Sequence, residues 1–249
     1  MTHSLTPNLP GLKAAVYPWV QTVRYFGFQR TCPICNYRCR LFRPWGLDRR
    51  TDALCRKCGS LERHRLTMLF LERKTDLFEG RVRTFLHVAP EPFFVPMFEG
   101  VVGDGYLSAD LSAPGVMERM DIMAIQHPDM SFDALYCSHV LEHVDDDRRA
   151  IGELYRVLKP NGWAILNVPI TVDKTFEDPS VVDPKARERV FGQRDHVRRY
   201  GPDYTRRLSD SGFLVSQYTP SDFLSTTEIT KYGLAGPGTG DVFYCERPG

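Results

Sequence analysis

From residue 82 onward, short apolar runs alternate with stretches in which apolar residues recur every three or four positions. That alternation predicts strands separated by helices, and hence βαβ units around a parallel sheet. "VRTFLHV" reads as a first strand, "GYLSADL" as a second, "ERMDIM" as a short third and "FDALYCS" as a fourth. A helix over "DDRRAIGELYRVL" opens on the acidic run Asp145–Asp147 and stops at Lys159, Pro160, Asn161 and Gly162. "GWAILNVPI" is a fifth strand, "DYTRRLSDSGFLVSQY" a helix, glycine stop and sixth strand, and "DVFYCER" a seventh. The fold class is therefore α/β: a Rossmann-like, seven-stranded, mostly parallel sheet with helices on both faces.

Ahead of that region the periodicity changes. "SLERHRLTMLFLER" predicts a helix capped by Ser60, with Leu61, Leu66, Met68, Leu69, Phe70 and Leu71 as its apolar residues. His64 within it reads as a packing or surface histidine. The expected organisation is an N-terminal helical segment (1–30), a zinc-ribbon-like module (31–60), a linking helix (61–80) and a main domain (81–249). Residues 171–200 form a long excursion over the strand ends, a lid or acceptor wall.

The module rests on cysteine spacing. "CPIC" and "CRKC" contribute Cys32, Cys35, Cys55 and Cys58, with 19 residues between the pairs. Two such knuckles complete a tetrahedral all-sulfur site suited to a structural Zn²⁺, closed to substrate. Arg56 and Lys57 are expected to help keep the thiols deprotonated. Cys39 is a spare. Seven cysteines, an odd number, argue for a reducing compartment over a disulfide framework.

Charge divides the chain in two. Residues 1–75 hold 14 Lys/Arg against four acids, whereas the remainder holds 18 against 27. Either the basic module meets nucleic acid or another anion, or it docks on the acidic domain. No segment approaches the roughly 20 apolar residues that span a bilayer, and the first ten residues do not read as a secretory leader, so a cytoplasmic protein without membrane association is expected.

The stretch "SFDALYCSHVLEHVDDDRRAIGELYRVLKPNGWAILNVP" resembles the fourth strand, following helix and "LKPGG" turn of the class I S-adenosylmethionine-dependent methyltransferases of the type 11 group. The resemblance spans about residues 82–249, and the zinc-ribbon head with "GSLERHR" is similar to bacterial members of that kind. It implies S-adenosylmethionine as cofactor. In "FLHVAPEPFF" the family's glycine-rich loop has become glycine-free: His87 falls on the acidic position, Ala89 on the first glycine and Glu91 on the second. Pro90 and Pro92 stiffen the turn in place of glycine freedom, and Glu91 is a relocated carboxylate for the cofactor's ammonium. The alternative is an exposed helix-start acid in a fold that no longer binds.

An acid ending the second strand, about 20 residues past the first loop, suits ribose hydroxyls, and Asp110, followed by Leu111, stands there. By resemblance Asp121 and Ile122 flank the adenine; the plainer roles are a turn cap for Asp110 and a cap of the next helix for Asp121. Ser138 occupies the position where adenine- and glutamine-modifying relatives carry the Asn of "NPPY". His139 follows it, His143 lies a turn further on, and His196 sits in "DHVRRY"; these three histidines are the candidates for acceptor contact or general base. The leading expectation is methyl transfer to a small-molecule or glycan-like acceptor. RNA base methylation, with the basic module holding RNA, is the alternative, and an inactive zinc-bearing interaction protein is the third.

Overall fold

Strand formation in the main domain follows its most apolar runs, because a strand covered on both faces by helices must be apolar at every position. The computed structural model describes residues 25–46 and 48–249; most of the expected N-terminal helical segment lies outside them. Two short antiparallel pairs build the head, β1 (Arg30–Thr31) with β2 (Arg38–Cys39) and β3 (Arg43–Trp45) with β4 (Arg50–Leu54). Helix α1 (Glu62–Lys74) leads into β5 (Phe85–Val88), α2 (Val95–Val102), β6 (Tyr106–Asp110), β7 (Glu118–Arg119) and β8 (Phe132–Ser138). After α3 (Asp147–Val157) and β9 (Leu158–Asn167), the excursion contains β10 (Phe176–Glu177), α4 (Pro184–Phe191) and β11 (Arg198–Arg199). The chain closes with α5 (Tyr204–Ser209), β12 (Leu214–Tyr218), α6 (Thr226–Lys231) and β13 (Val242–Glu246).

The main sheet has the order β12-β13-β9-β8-β5-β6-β7, parallel except that β13 runs antiparallel to both neighbours. Its strands coincide with the seven runs read from the sequence. The order reverses between β5 and β8, and in open α/β sheets that switch point is where ligands bind, beyond the carboxyl ends of the strands. β9 starts four residues before its expected "GWAILNVPI". Leu158 already pairs with Phe132, and an irregularity takes up the Lys159–Gly162 turn before Trp163 pairs with Ala134. Gly162 is needed there, because a Cβ would lie 2.7 Å from the Asp133 carbonyl oxygen.

Two apolar cores flank the sheet. One gathers Leu86, Leu135, Leu166 and Phe243 with Ile151 and Leu154 of α3. The other gathers Phe85, Tyr136, Trp163 and Ile165 with Leu66, Leu69 and Phe70 of α1. The linking helix thus belongs to the main domain's core and carries the head with it.

Arg65 of α1 makes the joint. Its side chain is fully buried, stacks 3.8 Å from the Phe42 ring centroid, and donates to the carbonyls of Asp52, Ala53 and Ser60 in the head. It also donates to the carbonyls of Tyr232 and Gly233 after α6. Gly233 sits there at φ +63°, where a Cβ would meet the Phe42 ring at 2.8 Å. The head and the acidic domain are therefore packed together, which answers part of the charge asymmetry. Among the described residues, no helix is long and apolar enough to cross a membrane.

Candidate functional site

The two knuckles are built alike. The N–H of Cys32 donates to the carbonyl of Tyr37 and that of Cys55 to Ser60, while Asn36 and Gly59 donate back to the carbonyls of Cys32 and Cys55. Asn36 and Gly59 both take left-handed backbone, at φ +56° and +79°, as such tight turns require. The result brings the four sulfurs within 4.8 Å of one another, with Cys32–Cys58 and Cys35–Cys55 each at 3.7 Å. Four sulfurs about 2.3 Å from a tetrahedral ion stand about 3.8 Å apart, so the constellation fits Zn²⁺. Cys39 stays outside it, buried, its thiol pushed up to about 11 chiefly by desolvation.

One expectation about its surroundings is corrected. Ser60 does not cap α1; its hydroxyl lies 3.3 and 3.2 Å from the sulfurs of Cys32 and Cys58, within hydrogen-bonding distance of both. The first orphan N–H, on Leu61, goes instead to Nδ1 of His64 at 3.0 Å. Arg56 lies over the Tyr25 ring and Lys57 donates to the Cys35 carbonyl. Charge and donors reach the cysteines from Ser60 and Arg65, which composition beside the motif did not reveal.

The sheet's carboxyl edge is aligned by register. Val88 pairs with Ala109 on one side and Cys137 on the other, and Ser138 pairs with Asn167. Ala89, Asp110, Ser138 and Asn167 therefore stand in a row across four strand ends. Ala89 adopts φ +50°, the left-handed conformation that the family's glycine takes easily and alanine does not. Relieving it should stabilise the fold: Ala89→Gly is expected to raise the thermal midpoint by about 2 °C, the balance of roughly 1–2 kcal/mol of left-handed strain against the added chain entropy of glycine. A lowered midpoint in calorimetry would mean that the alanine methyl is packed usefully.

Glu91 lies just past that turn and is held from three sides. His87 Nε2 is 3.0 Å from Oε2, the Tyr136 hydroxyl donates to Oε1 at 3.2 Å, and His64 Nε2 lies 3.8 Å from Oε1. His87 itself is fully buried, its Nδ1 taken by the Tyr106 hydroxyl at 2.9 Å. Both its ring nitrogens are engaged inside the protein, so it braces Glu91 and offers the open edge nothing directly. Burial, reinforced by the charge of Arg63, holds His64 well below its ordinary value. With Nδ1 accepting from Leu61, its one proton points from Nε2 toward Glu91. The unfolded chain therefore binds more protons than the folded one below pH ~6.5, and stability is lost as pH falls from there. Thermal midpoints between pH 8 and 5.5 are expected to fall less steeply in His64→Gln.

Asp110 does cap a turn: its Oδ1 accepts from the N–H groups of Ser112 and Ala113, both at 2.7 Å. Asp121 Oδ1 likewise accepts from Met123. Each aspartate keeps a second oxygen outside these bonds. Leu111 is 59% exposed beside Asp110, whereas Ile122 is 5% exposed and packed into the core.

Next to Ser138 the chain turns sharply, with His139 at φ +57° and its N–H on the Asn167 carbonyl. Residues 141–143 form a tight turn rather than the helical turn expected, so Glu142 and His143 follow directly. The excursion then folds back on this turn. Val197 donates to the Glu142 carbonyl, and the Arg198 guanidinium donates to the carbonyls of Leu141, Val144 and Asp145. His196 is thereby set against His143, ring centroids 4.6 Å apart and nearly perpendicular. All three candidate histidines line one cavity of about 720 Å³, walled also by Arg63, Asn167 and Arg50 of the head.

Four cavity residues escaped the sequence reading. Arg63 has a buried Nε with no partner among the described residues, and Glu142 a buried Oε2 in the same state. Asn167 ties the floor together, accepting from Phe243 N–H and donating to Thr67. Arg50 reaches the cavity because it pairs with Glu62 at the foot of α1. Only Glu142 left a signal, its spacing between His139 and His143; Arg50 depends on how the head docks, and Arg63 and Asn167 on how α1 packs against the sheet.

A family model described as "Methyltransferase domain" matches residues 106–166. No curated protein matches the chain in sequence. Among solved structures, the chain resembles one from the complex between the Haloferax volcanii Trm112 methyltransferase activator and a methyltransferase, at 14% identity and a TM-score of 0.50, covering 76% of this chain and 91% of that one. It resembles an S-adenosylmethionine-dependent methyltransferase from Mesorhizobium loti at 17% identity and a TM-score of 0.50, covering 73% and 98%. At such identities the likeness speaks for the fold, and the matched segment runs from β6 through β9, the center of that fold. Taken with the strand order and the aligned carboxyl edge, these findings give the chain the fold of the class I methyltransferases, with the methyltransferase-domain match at its center.

Proposed function

We propose that the protein transfers the methyl group of S-adenosylmethionine to a small-molecule or glycan-like acceptor that carries an anionic group. The carrying observation is the cavity of about 720 Å³ opening beside Ser138 and His139, within the size range of small-molecule sites. In this reading Oδ2 of Asp110 takes the ribose, Asp121 and the exposed Leu111 flank the adenine, and Glu91 receives the ammonium. Methyl transfer is an in-line displacement, so the protein's task is to align the acceptor and exclude water. The excursion supplies the wall, and the buried Arg63 guanidinium offers an unused N–H to an acceptor anion. His139, His143 and His196 are the groups within reach for accepting a proton from the acceptor. The cysteine site holds a structural zinc that keeps the head, and with it Arg50, in place.

The test is production of S-adenosylhomocysteine from S-adenosylmethionine over a panel of phosphorylated, carboxylated and neutral sugars. Turnover confined to anionic members, reduced at least tenfold in Arg63→Ala through KM, is expected. Equal turnover of neutral members would contradict the anionic assignment.

RNA is the second reading, favored by a shallow hollow on the head formed by Phe26, Tyr37, Arg38, Arg56 and Lys57. Phe26 and Phe28 are 70% and 69% exposed, as bases stacking on aromatic side chains require. RNA held there should lose affinity steeply with added salt. Binding that is absent, or flat between low and high salt, removes this reading.

A further inference from the structure

We propose that Glu142, His143 and His196 form a binding site for a divalent cation in the acceptor cavity, separate from the cysteine site. The ligand atoms of the three side chains lie within 4.8 Å of one another. Ligands about 2.1 Å from a shared ion stand about 3–3.5 Å apart, a closure that small side-chain rotations supply. Two histidines and one carboxylate presented from one side suit Zn²⁺, Mn²⁺ or Fe²⁺ and leave positions for an acceptor oxygen.

The independent observation is the carboxylate itself. Glu142 is 2% exposed, and its Oε2 is buried without a hydrogen-bond partner among the described residues. Such a group is costly to bury unless something cationic meets it. Its other oxygen is taken by His139 Nδ1 at 3.2 Å, so the pairing that fixes the carboxylate also aims the free oxygen. Asp195 Oδ2 lies 3.2 Å from Nδ1 of His143, an outer carboxylate that orients the ring and leaves Nε2 for a metal. The Val197 and Arg198 contacts hold the excursion onto the turn, so the three ligands come together only once the wall is docked.

This deepens the methyltransferase reading, on which its chemical role rests; the metal site itself does not depend on it. A cation there lowers the pKa of a bound acceptor hydroxyl and so selects acceptors methylated on oxygen. The hydroxyl proton passes to Nε2 of His139, the oxygen lone pair forms the new O–CH₃ bond, and the sulfur keeps the electron pair of the broken S–CH₃ bond.

The test uses Mn²⁺, which cysteine thiolates do not favor, titrated into zinc-loaded full-length protein and followed by the electron paramagnetic resonance of the free ion. One Mn²⁺ per chain is expected, weakened at least tenfold in Glu142→Gln and in His143→Ala, with S-adenosylhomocysteine affinity unchanged in both. His143 is one-third exposed, so its variant reports on binding without disturbing the core. No Mn²⁺ bound at millimolar concentration, or equal binding by the wild type and both variants, overturns the proposal. Mn²⁺ bound in a protein that takes no S-adenosylhomocysteine would uphold the site and reject the methyltransferase reading alone.

Discussion

Glu91→Gln is expected to weaken S-adenosylhomocysteine binding by at least tenfold, whereas His87→Gln weakens it only severalfold. A carboxylate that receives an ammonium in a half-buried loop contributes a charge-assisted hydrogen bond of about 1.5–3 kcal/mol, and the amide forfeits the charge. His87 contributes one donor to Glu91, while Tyr136 and His64 remain to hold the carboxylate when it is lost. The loop has no glycine to let backbone approach the methionine end, so the account places recognition on this side chain. Titration calorimetry of the two variants decides it: equal affinities would leave Glu91 without a role in the cofactor site.

Removing the metal from the cysteine site should have a larger effect on stability. Arg65 is fully buried and its hydrogen bonds all run to main-chain carbonyls, so its guanidinium lacks a carboxylate of its own. A zinc bound there by four thiolates would carry two net negative charges and would supply the missing counter-charge. Its loss would then dismantle the knuckles and leave a buried cation uncompensated, a loss of about 3–5 kcal/mol where one partner of a buried pair is removed. Metal analysis should find one zinc per chain, abolished in Cys55→Ser. Thermal unfolding of the chelated protein should begin with the head. A chelated protein with an unchanged unfolding curve would show the cysteines to be ordinary core residues.

The sheet could be read from the chain because its strands are apolar at nearly every position and separated by clear turn chemistry. The knuckles could be read because metal ligation demands fixed spacing. The sheet's carboxyl edge was half legible: Asp110 stands at its expected place after a strand, but its turn-capping bonds appear only in three dimensions. His87, at the family's acidic position, is buried between Tyr106 and Glu91, a pairing that alignment alone does not reveal. Least legible was the cavity. Arg50 and Arg63 reach it through the docking of the head, and His196, though named as a candidate, is placed by the return of the excursion, contacts between residues more than fifty positions apart that no local pattern encodes. Ser60 was misread for a related reason, because a serine before a helix suggests a cap until the sulfurs beside it claim its hydroxyl.

The central claim, that the row of strand ends from Ala89 to Ser138 binds S-adenosylmethionine, is tested most directly by titrating S-adenosylhomocysteine into the full-length zinc-loaded protein and into Asp110→Ala. The account predicts saturable binding of one molecule per chain, weakened at least tenfold in the variant. Absence of binding in the folded wild-type protein, or equal binding in both, would contradict it.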